Sequence, residues 1–164
     1  MSYKKIEAKV KYYGYNFLLK PTINYDRNGK VQSVGINRVE AAKMVRQFIK
    51  FKYGKHPDFK VWARSESYSG GSSLRVYVSN LDGTAVSNDI FNTIKDFAMT
   101  LAAGSFDGMT DSYDYKQVES NVLGTKISMY TSYVFVDNEA PRGTKERKLE
   151  LESREESFDS FKTL

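Results

Sequence analysis

Apolar and polar positions along this chain keep two different rhythms, and the places where one gives way to the other divide it into elements. From Lys4 to Lys20 and from Val31 to Ile36 the pattern is that of extended chain, and Asp26-Arg27-Asn28-Gly29 between them tolerates the positive φ of a turn. An N-terminal β-hairpin is expected. Asn37, with Glu40 three residues on, has the arrangement in which each side chain satisfies an orphaned backbone donor at a helix start. Val39, Ala42, Met44, Val45, Phe48 and Ile49 follow at helical spacing and Gly54 closes the run, which predicts a helix over 38–53.

At Phe59 the period drops to two, with Phe59, Val61 and Ala63 on one face and Lys60, Trp62 and Arg64 on the other. After a polar loop, Leu74, Val76 and Val78 alternate with Arg75 and Tyr77, so the two runs predict a second hairpin. Asp82-Gly83 reads as a turn, and from Ser87 the residues Ile90, Phe91, Ile94, Phe97, Ala98 and Leu101 predict a helix that stops at Gly104. Lys126 to Val136 alternates as a last strand. Hairpin, helix, strand, strand, helix, strand is the split β-α-β order of ferredoxin-like folds. The fold class expected is therefore α+β, a mainly antiparallel sheet with two helices on one face.

These elements predict a single domain over 1–143 and a tail over 144–164. The tail is almost entirely charged from Lys145 to Glu156 and ends with Phe158, Phe161 and Leu164 at three-residue spacing, as along one side of a helix. Dense mixed charge does not offset ordering entropy by itself, so such a helix needs a surface to dock on. Because the elements before residue 137 already read as a complete layered domain, the expected surface is another chain, with Phe158 and Phe161 as anchors for a partner or for self-assembly.

Composition narrows the chemistry. The 164 residues are 40% hydrophobic and 27% charged, enough for one well-buried core without staples. The absence of Cys and the single histidine, His56, exclude thiol catalysis, disulfides and any site built on two imidazoles. No apolar run of membrane-spanning length occurs, and the start of the chain lacks the pattern of a signal peptide, so the expected location is the host cytoplasm or a particle packaged from it, with no membrane partner. The net charge of +5 hides an asymmetry: residues 1–60 hold 14 Lys and Arg against 4 Asp and Glu, whereas residues 61–143 hold 6 against 10. Such a basic third attracts polyanions before any specific contact forms.

Trp62, Arg64, Arg75 and Tyr77 should share the sheet face opposite the helices, where aromatic planes beside guanidinium groups can stack unpaired bases and hold phosphates. Lys43, Arg46 and Lys50 add a basic stripe on the first helix. The favoured expectation is instead that the tyrosine-rich N-terminal hairpin covers the sheet face as a second core layer, since single domains avoid large exposed aromatic patches. The loop Gly70-Gly71-Ser72-Ser73 could offer amides to an anion, but without a P-loop lysine it reads more simply as a hairpin connection. Asp107, Asp111 and Asp114 do not keep the spacing of a calcium loop and read as a structured turn, so no metal and no cofactor are expected. His56 precedes Pro57 in a connection, and no nucleophile motif is present, so no catalytic residue is expected.

Four short motifs punctuate residues 38–115: Arg64-Ser65, Gly70-Gly71-Ser72-Ser73, Asp82-Gly83 and Phe106-Asp107-Gly108-Met109. With them the segment resembles one of the large polyvalent protein-associated domains of phages and conjugative elements. Ser79 and Thr84 depart from the pattern, which has tryptophan and proline there. The resemblance implies a mobile-element setting and brings no catalytic residues. The expected function is a non-enzymatic accessory protein whose basic, aromatic-rich surface binds nucleic acid or a host or phage protein; an anti-defence inhibitor and a virion cargo protein are the alternatives.

Overall fold

The alternation of Ile6, Ala8, Val10 and Tyr12 resumes one residue out of phase at Tyr15, Phe17 and Leu19, and the chain turns where the phase changes. In the computed structural model, which describes residues 3–103, 106–107, 112–113 and 117–162, the stretch from Lys4 to Lys20 read as one extended segment holds three strands, and a fourth follows it. These are β1 (Tyr3–Lys5), β2 (Ala8–Tyr12), β3 (Tyr15–Leu19) and β4 (Thr22–Tyr25). β2 and β3 form a hairpin closed by Tyr13 and Gly14, both at positive φ as a tight turn requires. A tyrosine in place of asparagine at the first central position hides this turn from the sequence. The Asp26–Gly29 turn is where it was expected, but the strand it joins to β5 (Val31–Ile36) is β4 and not the Lys4–Lys20 stretch; in the turn Asp26 Oδ1 accepts from the amides of Asn28 and Lys30.

Helix α1 (Arg38–Tyr53) has the expected bounds, and Asn37 Oδ1 accepts from the Val39 and Glu40 amides. The reciprocal half of the cap is replaced: the buried Glu40 carboxylate lies 3.1 Å from Lys43 Nζ. Ala41, Ala42, Met44, Val45, Phe48 and Ile49 form the buried stripe. β6 (Phe59–Tyr68) and β7 (Gly71–Asn80) are paired over their full lengths, so the polar run read as a loop is strand, and only Ser69 and Gly70 turn. Helix α2 (Asn88–Met99) starts at its Ser87 cap and ends before the expected Gly104, with the Thr100 amide and Oγ1 both bonded to the Phe97 carbonyl. Gly104 itself lies outside the described residues.

β8 (Phe106–Asp107) and β9 (Ser112–Tyr113) form a short pair. β10 (Gln117–Val122) was not foreseen, because a register shift between Val118 and Asn121 breaks its alternation. The expected last strand is two: β11 (Thr125–Met129) and β12 (Tyr133–Asp137). Buried Ile127, Met129 and Thr131 occupy odd positions and buried Val134 an even one, so the chain changes face over Tyr130 to Tyr133. β11 runs parallel to β5 and β12 parallel to β7. The result is α+β, with a five-stranded sheet in the order β1-β4-β5-β11-β10 and a three-stranded one in the order β12-β7-β6. This replaces the single antiparallel sheet expected.

α1 packs on β6, β7 and the flank of β3, while α2 packs on β12 and α1. Phe48 and Phe97 stack at the helix contact, with ring centres 4.1 Å apart. The aromatic hairpin closes over this contact: Tyr13 and Phe17 meet Phe97, Tyr15 stacks on Phe51, and Tyr12 Oη donates to the Thr100 carbonyl.

A third helix, α3 (Lys145–Lys162), follows Thr144, whose Oγ1 accepts from the Arg147 amide. Its first turns rest on the chain's own Asp82–Gly83 turn, where Gly83 has φ +87° and a Cβ would run into the Glu146 carbonyl. The start of the tail thus has a docking surface within the same chain. The side chains of Phe158 and Phe161, and Leu164 altogether, lie outside the described residues. Among the described residues no helix is long and apolar enough to cross a membrane.

Candidate nucleic-acid interface

The full-length register of β6 with β7 sets Trp62 opposite Tyr77 and Arg64 opposite Arg75, on the side away from buried Ala63 and Val76. The four residues singled out from the sequence therefore do share one face. The N-terminal hairpin does not cover it, because its tyrosines are engaged with α1 and α2. β12 adds a third row: parallel pairing sets Tyr133 beside Ser73, Phe135 beside Arg75 and Asp137 beside Tyr77. Tyr133 is 57% exposed and Phe135 is 42% exposed, their ring centres 6.5 Å apart and nearly parallel.

Each cation on this face is set against a ring. The Arg75 guanidinium lies 4.6 Å from the centre of Phe135, Arg64 lies 6.0 Å from Tyr77, and Lys60 Nζ lies 5.1 Å from Trp62. Two are also neutralised, since Arg75 Nη1 is 3.3 Å from Asp137 Oδ2 and Lys60 Nζ is 3.2 Å from Glu146 Oε1. Among the described residues Arg64 has no carboxylate partner. The Glu146 carboxyl is held below its ordinary range chiefly by its own backbone amide at the start of α3; partial burial opposes this, and Lys60 adds to it.

The other candidates do not join this face. Lys43, Arg46 and Lys50 lie on α1, which packs against the opposite side of the sheet; Arg46 Nη2 donates to the Ala63 carbonyl at 2.9 Å, closing the outer edge of β6 there. Gly70 makes the β6–β7 turn at φ +89°, and Ser72 bridges to the β11–β12 connection, its amide donating to Ser132 Oγ and its hydroxyl to the Tyr130 carbonyl. A Cβ on Gly71 would press on Ser132 Oγ. The glycine-serine run therefore holds two strands together rather than cradling an anion. Asp111 and Asp114 and the side chain of Asp107 lie outside the described residues. His56 is exposed in the connection after α1.

Tyr133 and Phe135 escaped the sequence reading. Their signal is the alternation of two exposed rings with Val134 and Val136, but only the parallel contact of β12 with β7 brings them beside Arg75. Comparison with protein-family models, curated proteins and solved structures finds no match to this chain.

Proposed function

We propose that this protein is a non-enzymatic accessory protein of a phage or other mobile genetic element, and that it binds single-stranded nucleic acid across the outer face of β6, β7 and β12. The observation that carries this reading is the open row of Trp62, Tyr77, Tyr133 and Phe135 with Arg64 and Arg75 set among the rings. Splayed bases stack on such planes, each worth about 1–3 kcal/mol, while guanidinium groups meet the backbone phosphates. The mobile-element setting rests on the resemblance over residues 38–115.

Trp62 is the chain's only tryptophan, so its emission reports on this face directly. Titration with a mixed-sequence single-stranded oligonucleotide should quench it, and the affinity should fall steeply with salt as counterions are released. Arg75→Ala should weaken binding and lower the salt slope by about one. Unchanged emission at low salt would exclude the reading. The exposure of the Tyr133–Phe135 pair favours a second reading, a protein partner such as a host defence complex, because aromatic side chains dominate interface hot spots. That reading predicts better phage plating on hosts that carry the targeted defence system, and equal plating on every such host would remove it.

A further inference from the structure

The basic first third of the chain places Lys60 on the sheet face and another group of its cations, Lys9, Lys11, Lys20, Lys43 and Lys50, on the other side of the molecule, where the β2–β3 hairpin lies beside α1. In the hairpin, Val10 and Phe17 are paired and fully buried, so the alternate residues point outward: Lys9 opposite Leu18, and Lys11 opposite Asn16. Lys20 continues the outward set beyond Leu18.

Both edges of this hairpin are closed by side chains that imitate a neighbouring strand. Gln47 Oε1 accepts from the Leu18 amide at 2.9 Å and its Nε2 donates to the Leu18 carbonyl at 2.8 Å. On the far edge, Ser120 Oγ accepts from the Lys11 amide at 2.9 Å and donates to the Lys11 carbonyl at 3.0 Å. The hairpin is thereby fixed against the body of the protein, and Lys43 and Lys50, one turn to either side of Gln47, flank its edge. Among the described residues Lys9, Lys11, Lys20 and Lys50 have no carboxylate within ion-pair distance. Glu7 is exposed at the start of the hairpin, and Glu40, the one carboxylate of α1, is buried against Lys43.

We infer that this hairpin and helix surface is a second polyanion site that holds the phosphate backbone of a nucleic-acid duplex. Four lysine ammonium groups on a fixed platform, without a carboxylate partner among the described residues, complement a double helix that carries one negative charge per about 1.7 Å of axis. Lysines are point charges on flexible stems, suited to phosphates and without the planar fork that reads guanine, so the contact is independent of sequence. The site is separate from the sheet face and does not depend on it.

The test uses the full chain and an end-labelled, mixed-sequence DNA duplex, followed by fluorescence anisotropy across a salt series. The variant Lys9→Gln/Lys11→Gln/Lys50→Gln should lose about tenfold or more in duplex affinity and should lower the salt slope by about 2–3. It should keep the wild-type circular dichroism spectrum and the quenching of Trp62 by single-stranded oligonucleotide. Arg75→Ala should leave duplex affinity within about twofold, because it touches the other face. Wild-type duplex affinity and slope in the triple variant would overturn the inference, as would absence of duplex binding by the wild-type chain at low salt. The exposed Leu18 makes an anionic membrane the rival occupant. Lysine-dependent sedimentation with phosphatidylserine vesicles, without duplex binding, would assign the surface to lipid and sink the inference. Duplex binding with no Trp62 response to single strands would leave this inference standing and remove the sheet-face reading alone.

Discussion

Gly83 shows how much one missing Cβ decides. Its φ of +87° is costly for any L side chain, by about 1–2 kcal/mol, and the Glu146 carbonyl and Glu150 Cβ of α3 fill the space a methyl group would need. Gly29 has a similar φ of +78° with open space around it. Gly83→Ala should therefore lower the melting temperature clearly more than Gly29→Ala, and the excess should vanish in a chain ending at Arg142, where α3 is absent. Equal losses for the two glycines in the full chain would show that α3 does not bear on the turn. The Glu146 carboxyl is the second decisive group. Its pKa is lowered in the folded chain, so its contribution is fully present above the ordinary carboxylate value of 4.5 and is lost as pH falls through the lowered value. Proteolysis of α3 should accelerate on acidification through that window, and Glu146→Gln, which cannot ionise, should flatten the dependence.

At the scale of elements, the helices and the β6–β7 hairpin were legible because their determinants are local. Asn37, Gly54 and Ser87 cap what periodicity outlines, and the two strands of the hairpin alternate strictly from Phe59 and from Leu74, although the turn between them is shorter than the polar run suggests. The β2–β3 hairpin was not legible, since its turn is Tyr13-Gly14 and its edges are satisfied by side chains from α1 and β10. Gln47→Ala removes both bonds to Leu18 at an expected cost of about 1 kcal/mol. Amide exchange at Leu18 should speed up while exchange in β7 keeps its global rate. Unchanged protection at Leu18 would mean that the aromatic contacts alone seat the hairpin.

For the whole molecule, α3 ties the end of the chain to the domain through Glu146, Glu150 and the Lys60 ion pair. Truncation after Arg142 exposes the Gly83 turn and leaves Lys60 without its partner. A loss of about 2 kcal/mol is expected, which for a domain of this size moves the melting temperature by about 4–8 °C. An unchanged melting temperature would restore the reading of a tail independent of its own domain. The same truncation leaves Trp62, Arg75, Lys9 and Lys11 in place, so both proposed binding surfaces should survive it.

The sequence by itself determined what neighbours in the chain decide: α1 to its last residue, the start of α2, the Asp26–Gly29 and Asp82–Gly83 turns, and the common face of Trp62, Arg64, Arg75 and Tyr77. Turn residues, caps and periodicity act over a few positions, and a hairpin register follows from its turn. Tertiary structure alone decided that Lys126 to Val136 serves two sheets, that the aromatic hairpin seats on the helices and leaves the sheet face open, and that Phe135 meets Arg75. Arg75 and its ion-pair partner Asp137 are 62 residues apart, and nothing local brings them together. Pairing at such distances is settled by which arrangement buries Val134, Val76 and Phe97 at once, a competition in which every element of the molecule takes part.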